Sequence, residues 1–379
     1  MPILDQGYQH WTGTLSGHAW RWLAITRHGV RIGMKGRFLR IAIMVSWLPA
    51  IILALALSMW GFVERKSAYV MPVVDFLVEA GLLDRRVAAD PIYYRVDVWT
   101  ICYDNFFVTE LWLSMILIAM VGPSLISQDL RFNALPLYFS RPLRRIDYFV
   151  GKLGIIATFV GMVTVIPALI AYVLGLLFSL DITIVRDTFP LLLSCIAYGV
   201  VISVSAGLFM LALSSLSRNS RYIALSWIVI CCVGFLVAFF LNEEDQSQRE
   251  RRRARTPARA VSVQPQSPEQ AQKDRLAAEA YQKALEDAQA EEVRANKTNW
   301  RWLVSYADNL TRVGQQLLGT EACWEKLSEL RSPNDRERFM LNHAGPRYPW
   351  YWSAAVLAGI FGLSVCILNF RVKSLDRLR

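Results

Sequence analysis

The chain reads as an all-α, polytopic membrane protein with six transmembrane helices, and three observations lead there. Of its 379 residues 54% are hydrophobic and only 19% charged, too apolar for an ordinary soluble domain. Six runs free of Asp, Glu, Lys and Arg are each long enough to cross a hydrocarbon core of about 30 Å: Ile41 to Val63, Leu111 to Gln128, Leu153 to Leu180, Thr188 to Ser217, Tyr222 to Asn242 and Tyr348 to Phe370. The basic residues between those runs fall mostly on one side. Arg21, Arg27, Arg31, Lys35, Arg37, Arg40, Arg131, Arg141, Arg144, Arg145, Lys152, Arg218, Arg221, Arg371, Lys373, Arg377 and Arg379 share a face, against six in the loops Glu64 to Glu110 and Asp181 to Asp187. Basic residues favour the cytoplasmic side, so both termini are expected there.

The N-terminal arm, residues 1–40, is polar and basic and has no apolar stretch followed by a small-residue cleavage site, so the first span is expected to direct insertion. Spans one to five and their connections occupy 41–242. The long loop 243–347 is predicted external, although Arg249, Arg251, Arg252, Arg253 and Arg255 lie in it, because loops of more than about 60 residues translocate largely regardless of charge. An odd number of spans, with this loop inside, is the structural alternative. Within the loop, Asn242 to Gln266 reads as a linker. Ser267, Pro268 and Gln270 make an N-terminal capping signal for a solvated helix running to about Asn296. Trp300, Leu303, Tyr306, Leu310, Val313 and Leu317 then form an amphipathic stripe, with Gly319 placed to end that helix. Such a stripe can float in the interface or pack on neighbouring spans, and its proximity to span six favours a helix lying on, or dipping into, the outer leaflet. Tyr348, Trp350, Tyr351 and Trp352 suit an interfacial aromatic belt ahead of span six, which with its tail fills 348–379.

The net charge of +10 is spread over many loops and not along one face, which argues for membrane orientation and against nucleic acid as a partner. Phosphate-binding, zinc-protease, redox and serine-hydrolase motifs (GxxxxGK[ST], HExxH, CxxC, GxSxG) do not occur, and His10, His18, His28 and His343 are scattered. Neither catalysis nor a metal site is expected. Cys195, Cys231, Cys232 and Cys366 lie in apolar runs, where a thiol packs as a small hydrophobe. Cys102 and Cys323 fall in predicted external loops and are a candidate disulfide. The six uncharged runs hold no ionisable relay, so energy for moving a solute has to enter through a loop.

The loop singled out is Gly122 to Lys152, polar, basic and proline-punctuated between spans two and three. In Gln128 to Ser140, apolar Leu130, Phe132, Leu135, Leu137 and Phe139 alternate with Gln128, Asp129, Arg131, Asn133 and Ser140. A short in-plane helix ending near Pro136 is expected, with Ser140 and Pro142 starting the next long helix. On composition alone this is a basic loop touching lipid headgroups.

The string around Ile126, Ser127 and Asp129, followed by Leu137, Ser140, Arg141, Pro142, Leu143 and Arg145 and then Gly151 and Lys152, resembles the signature of the type 2 ABC-transporter permeases. The resemblance covers that loop well, the six-span layout more loosely, and the insert at 247–296 not at all. It implies a permease subunit of an ATP-driven exporter in the plasma (inner) membrane of a prokaryote, working as a homo- or heterodimer with a separate ATPase subunit that binds ATP and Mg. Gln128, Asp129, Leu130, Arg131, Phe132, Asn133, Leu135, Pro136, Ser140, Arg141, Pro142 and Arg145 would carry the coupling helix and its contacts. Trp20 to Arg37 would be an in-plane connector helix at the inner leaflet. The rival reading is a non-transporting membrane scaffold that binds partners through its long external loop.

Overall fold

The computed structural model describes residues 20–67, 69–80, 83–134, 144–179, 181, 183–254, 298–330 and 348–376, with positions 272, 283 and 336 besides. The described residues form helices and connections, with no strand among them. The solvated helix expected over 267–296, apart from positions 272 and 283, and the residues Leu135, Pro136, Ser140, Arg141 and Pro142 lie outside the described residues.

The order is α1 (Arg21–Gly33), α2 (Arg37–Ser46), α3 (Leu48–Glu64), α4 (Met71–Glu79), α5 (Arg85–Ala89), α6 (Arg95–Val121) and α7 (Pro123–Arg131). After the loop come α8 (Arg145–Val163), α9 (Val165–Ser179), α10 (Thr183–Leu216) and α11 (Ser220–Ala254). A 3₁₀ turn (Trp300–Val304), α12 (Tyr306–Leu318), α13 (Thr320–Ser328) and α14 (Trp350–Asp376) complete it.

Six helical stretches are long and apolar enough to cross a membrane: Arg37–Glu64, Arg95–Arg131, Arg145–Ser179, Thr183–Leu216, Ser220–Glu244 and Trp350–Arg371. They answer in order to the six uncharged runs, so a multi-pass membrane protein is what the chain folds into. Spans one to three are each built from two helices, and each break has a proline just beyond it. Pro49, Pro123 and Pro167 lack the N–H that the preceding turn needs, so the ladder is interrupted next to each.

Span two is the centre of the bundle. Of its most apolar window 61% is buried inside the protein, against 28% for span one and 22% for spans five and six, which face outward. Its helix also begins at Arg95, well before the expected Leu111, and so carries Asp97, Asp104 and Glu110 as well as Cys102. A charge count ends a run at its first acidic residue, whereas packing shelters these groups inside the helix array. Likewise α11 continues to Ala254, where a linker was expected from Asn242, because its charged last turns extend beyond the apolar stretch without breaking the helix.

The bundle has two polar ends. At one, the Arg95 guanidinium, 1% exposed, donates to both Glu64 oxygens (2.7 and 3.1 Å), to Asp181 Oδ2 (3.0 Å) and to Thr183 Oγ1 (3.3 Å), and Ser179 Oγ donates to Glu64 (2.6 Å). Spans one, two, three and four are thereby tied at a single point. The hydrogen bonds from Thr183, with Arg95 behind them, hold the Asp181 carboxyl down to about 2. The other end is the one that carries the 122–152 loop.

The stripe from Trp300 does not lie on a surface. After the 3₁₀ turn, α12 enters the bundle and packs on α6, α10, α11 and α14. Ser305 caps its first turn (3.2 Å to the Asp308 N–H), and Gly319, left-handed at φ 74°, ends it as expected. Tyr306 and Leu310 are fully enclosed, Tyr306 sharing a hydrogen bond of 2.8 Å with Ser205 in the middle of α10 and stacking among Phe209 and Trp227. A Cβ at Gly314 would collide with the Tyr198 ring, so only glycine permits that approach. Arg312 donates to the Tyr348 carbonyl (2.9 Å) and to Glu321 (3.0 Å), joining α12 to the start of span six.

Candidate functional site

At the loop-bearing end, α7 prolongs span two as Pro123–Arg131. Ser214 of span four fastens the start of that helix to the bundle. Ser214 Oγ accepts from the Ile126 and Ser127 N–H groups (3.1 and 3.2 Å) and donates to the Pro123 carbonyl (2.9 Å), while Ser127 Oγ donates to the same carbonyl at 2.5 Å. The helix stops earlier than expected, at Arg131 and not near Pro136. Asn133 takes the left-handed conformation (φ 49°), and the Ala134 N–H reaches back to the Asp129 carbonyl (2.9 Å), a Schellman ending.

The next helix, α8, starts at Arg145. Its cap comes from Asp147, whose carboxylate accepts from the Arg144 N–H (3.1 Å), and not from Ser140 and Pro142. Within its first two turns Tyr148 and Lys152 point back toward span two. Lys152 Nζ lies 2.7 Å from Asp129 Oδ2, Tyr148 Oη donates to the same oxygen at 2.7 Å, and the Lys152 ammonium sits 5.4 Å from the Tyr148 ring centre. Tyr148 is fully buried and Lys152 nearly so. One carboxylate at the end of span two thus holds the beginning of span three.

That geometry separates the expected coupling residues into two kinds. Asp129 is turned inward and engaged, whereas Gln128, Arg131, Phe132, Asn133 and Arg145 are exposed at the tip, with the Arg131 guanidinium 5.6 Å from the Phe132 ring centre. Leu130 is half-buried on the core side. Tyr148 and Ser214 were not singled out from the sequence. Tyr148 lies within the same loop, but no spacing rule marks it, and Ser214 sits far along the chain in an apolar span.

The arm helix α1 lies along α8. Thr26 Oγ1 donates to the Gly151 carbonyl (3.0 Å), and Ile25 and Ile155 fit where glycines of the opposite helix leave room. Trp20, Leu23 and Ile32 remain exposed on its other side, among basic residues. Between α1, α2, α7 and α8 is a cleft of about 640 Å³ whose polar lining is His28, Ser124, Gln128, Asp129 and Lys152.

At the opposite end Cys102 and Cys323 are both free thiols. Cys102 lies in α6, not in a loop, and Cys323 in α13 is set against Thr100 and Asp97. Two residues along a helix is a rotation of about 200°, so Cys102 leaves α6 on a different side from Thr100. Burial pushes the Cys323 thiol up to about 12, which makes it a packing group and not a nucleophile. Groups of three or more His, Cys, Asp or Glu able to hold a metal do not occur among the described residues. Compared with models of known protein families and with curated proteins, the chain matches none.

Proposed function

We propose that the chain is the membrane subunit of an ATP-driven type 2 ABC exporter, pairing with a second permease copy and taking its energy from a separate ATPase through the 122–152 segment. The observation that carries the reading is the contact of Asp129 with Lys152 and Tyr148. It joins the tip of span two to the first turns of span three beside the residues whose string resembles that family's signature. In such a device Arg131, Phe132 and the loop beyond would meet the ATPase. Asp129 would pass the displacement to α8, and α1, laid along α8, would move with it. The mechanism is transmission of a push into rocking spans, with the nucleotide chemistry on the partner.

Purification of the tagged chain from its native membrane tests this. A stoichiometric ATPase subunit is expected to accompany it and to be lost on Arg131→Ala with Phe132→Ala, both exposed positions whose change leaves the fold intact. Retention of the ATPase by that variant would overturn the coupling assignment. A partner held instead by residues 243–347 would favour the scaffold.

A further inference from the structure

The expectation that the spans hold no ionisable group fails in span two, where Arg95, Asp97, Asp104 and Glu110 all lie within the helix, and Glu110 stands apart among them. Glu110 lies in the middle of α6 and is 0% exposed, and neither of its carboxylate oxygens has a hydrogen-bond partner. Ser114, one turn on along the same face, is equally buried, and its hydroxyl is likewise without a partner.

The charged groups of the helices packed on α6 are engaged elsewhere or sit at the helix ends. Glu64 and Asp181 hold Arg95, Lys326 holds Asp97 at 2.6 Å, Glu321 holds Arg312, and Asp129 holds Lys152. Asp308 of α12 lies by Tyr348, and Asp104 leaves α6 on the side of Thr320. Arg37, Arg40, Arg145 and Arg221 are exposed, as are Glu243 and Glu244 at the far end of α11. In the interior the remaining titratable groups among the described residues include the Tyr103, Tyr172, Tyr198 and Tyr306 hydroxyls and the Cys195 and Cys231 thiols, none of them a cation. Glu110 therefore has no counter-charge among the described residues.

An ionised carboxylate in such a place is prohibitive, and the group resolves the conflict by keeping its proton. A metal cation is the other way to neutralise it, but Glu110 and Ser114 bring three oxygens, about half of what a hard cation takes.

The position of the group gives the proton a use. Tyr103, two turns nearer the Arg95 end on nearly the same face, donates to the Ala168 carbonyl (3.0 Å). Spans two and three run antiparallel, as the pairs Arg95 with Asp181 and Asp129 with Lys152 at opposite ends require. Seven residues further along α6, Glu110 comes within about one turn of the break between α8 and α9 at Thr164, where Pro167 has no N–H to offer the Val163 carbonyl.

We propose that Glu110 is an intramembrane proton-binding site, which carries one proton while the helices around the Thr164 break are closed and gives it up when they part and admit water. The conformational equilibrium of the bundle is then linked to pH. The closed arrangement binds the proton, so acid favours it and alkali favours opening. This stands on the span assignment and does not depend on the exporter reading.

The test uses the full chain in membranes, with dicyclohexylcarbodiimide, an apolar reagent that adds a protonated carboxyl to itself, and mapping of the modified peptide by mass. The adduct is expected on Glu110 at pH 7, to be absent in Glu110→Gln, to decline as pH rises, and to be unaffected by sodium. A water-soluble carbodiimide is expected to leave Glu110 at least tenfold less modified. In the infrared spectrum the carbonyl stretch of a neutral carboxylic acid should be present in the native chain and reduced in Glu110→Gln. Glu110 unmodified in folded protein, equal reaction with both reagents, or protection by sodium would each overturn the proposal. Because labelling and infrared are read on the native chain and need no ATPase, failure here leaves the exporter reading untouched.

Discussion

The two polar ends of the bundle are tied in opposite ways. At one, a single buried guanidinium takes four hydrogen bonds to Glu64, Asp181 and Thr183, and three further helix ends converge on it. At the other, one carboxylate, Asp129, is shared by Lys152 and Tyr148 and joins spans two and three. A cluster that over-determines its geometry resists displacement, whereas a carboxylate beside an open cleft is the more readily displaced. On the exporter reading proposed above, that difference would make the Arg95 end the fixed pivot and the Asp129 end the movable lever.

The sharpest way to break the comparison is to remove the pivot. Arg95→Ala leaves Glu64, 3% exposed, as an uncompensated buried charge and is expected to cost about 3–5 kcal/mol, read as loss of the detergent-solubilised folded protein on heating. Asp129→Asn should cost less, about 1.5–3 kcal/mol, because only one charge-assisted set of bonds is lost and the site borders the cleft. A double-mutant cycle on Asp129 and Lys152 with coupling as large as that of Arg95 and Glu64 would erase the distinction. Ser214→Ala removes the acceptor for two N–H groups of α7 and is expected to cost about 1–2 kcal/mol, with faster amide exchange confined to residues 124–131.

The smallest effect is a dependence on acid. Asp181 is held at about 2 in the folded chain, below its usual value near 4, chiefly by its bonds from Thr183 and then by Arg95. A depressed carboxyl contributes stability above its unfolded value and loses it as pH falls through the folded one. The Arg95 end should therefore loosen between about pH 4 and pH 2, and Asp181→Asn should flatten that part of the profile. No comparable drop is expected from the buried Glu110, which is neutral while the bundle is closed.

What was legible in the sequence was legible because it is written locally. Apolar runs name the spans, and Gly319 ends α12 because a left-handed residue closes a helix by local bonding alone. The lever was legible in its parts, Asp129 and Lys152 both lying in the marked loop, but not as a contact, since their meeting depends on how α7 leaves span two. Tyr148 and Ser214 have no local signature. Glu110 was hidden for the opposite reason: a charge at the edge of an apolar run reads as the run's boundary, and only the surrounding helices reveal that the helix continues past it to Arg95. The Trp300 stripe shows the same limit, for its spacing marks a helix with one apolar face, while the burial of Arg312 comes with a partner at the threshold of span six.

That inserted helix bears on how the protein is made. The segment from Tyr306 to Leu318 carries Asp308, Asn309, Arg312, Gln315 and Gln316, too many polar groups to partition into lipid unaided. Its place between spans two, four and five is secured by Arg312 reaching the Tyr348 carbonyl at the threshold of span six. During biosynthesis the first five spans consequently enter the bilayer with an unfilled slot beside Ser205 and Trp227. Because α12 follows those five spans in the chain, the slot is expected to be filled only after they have been made.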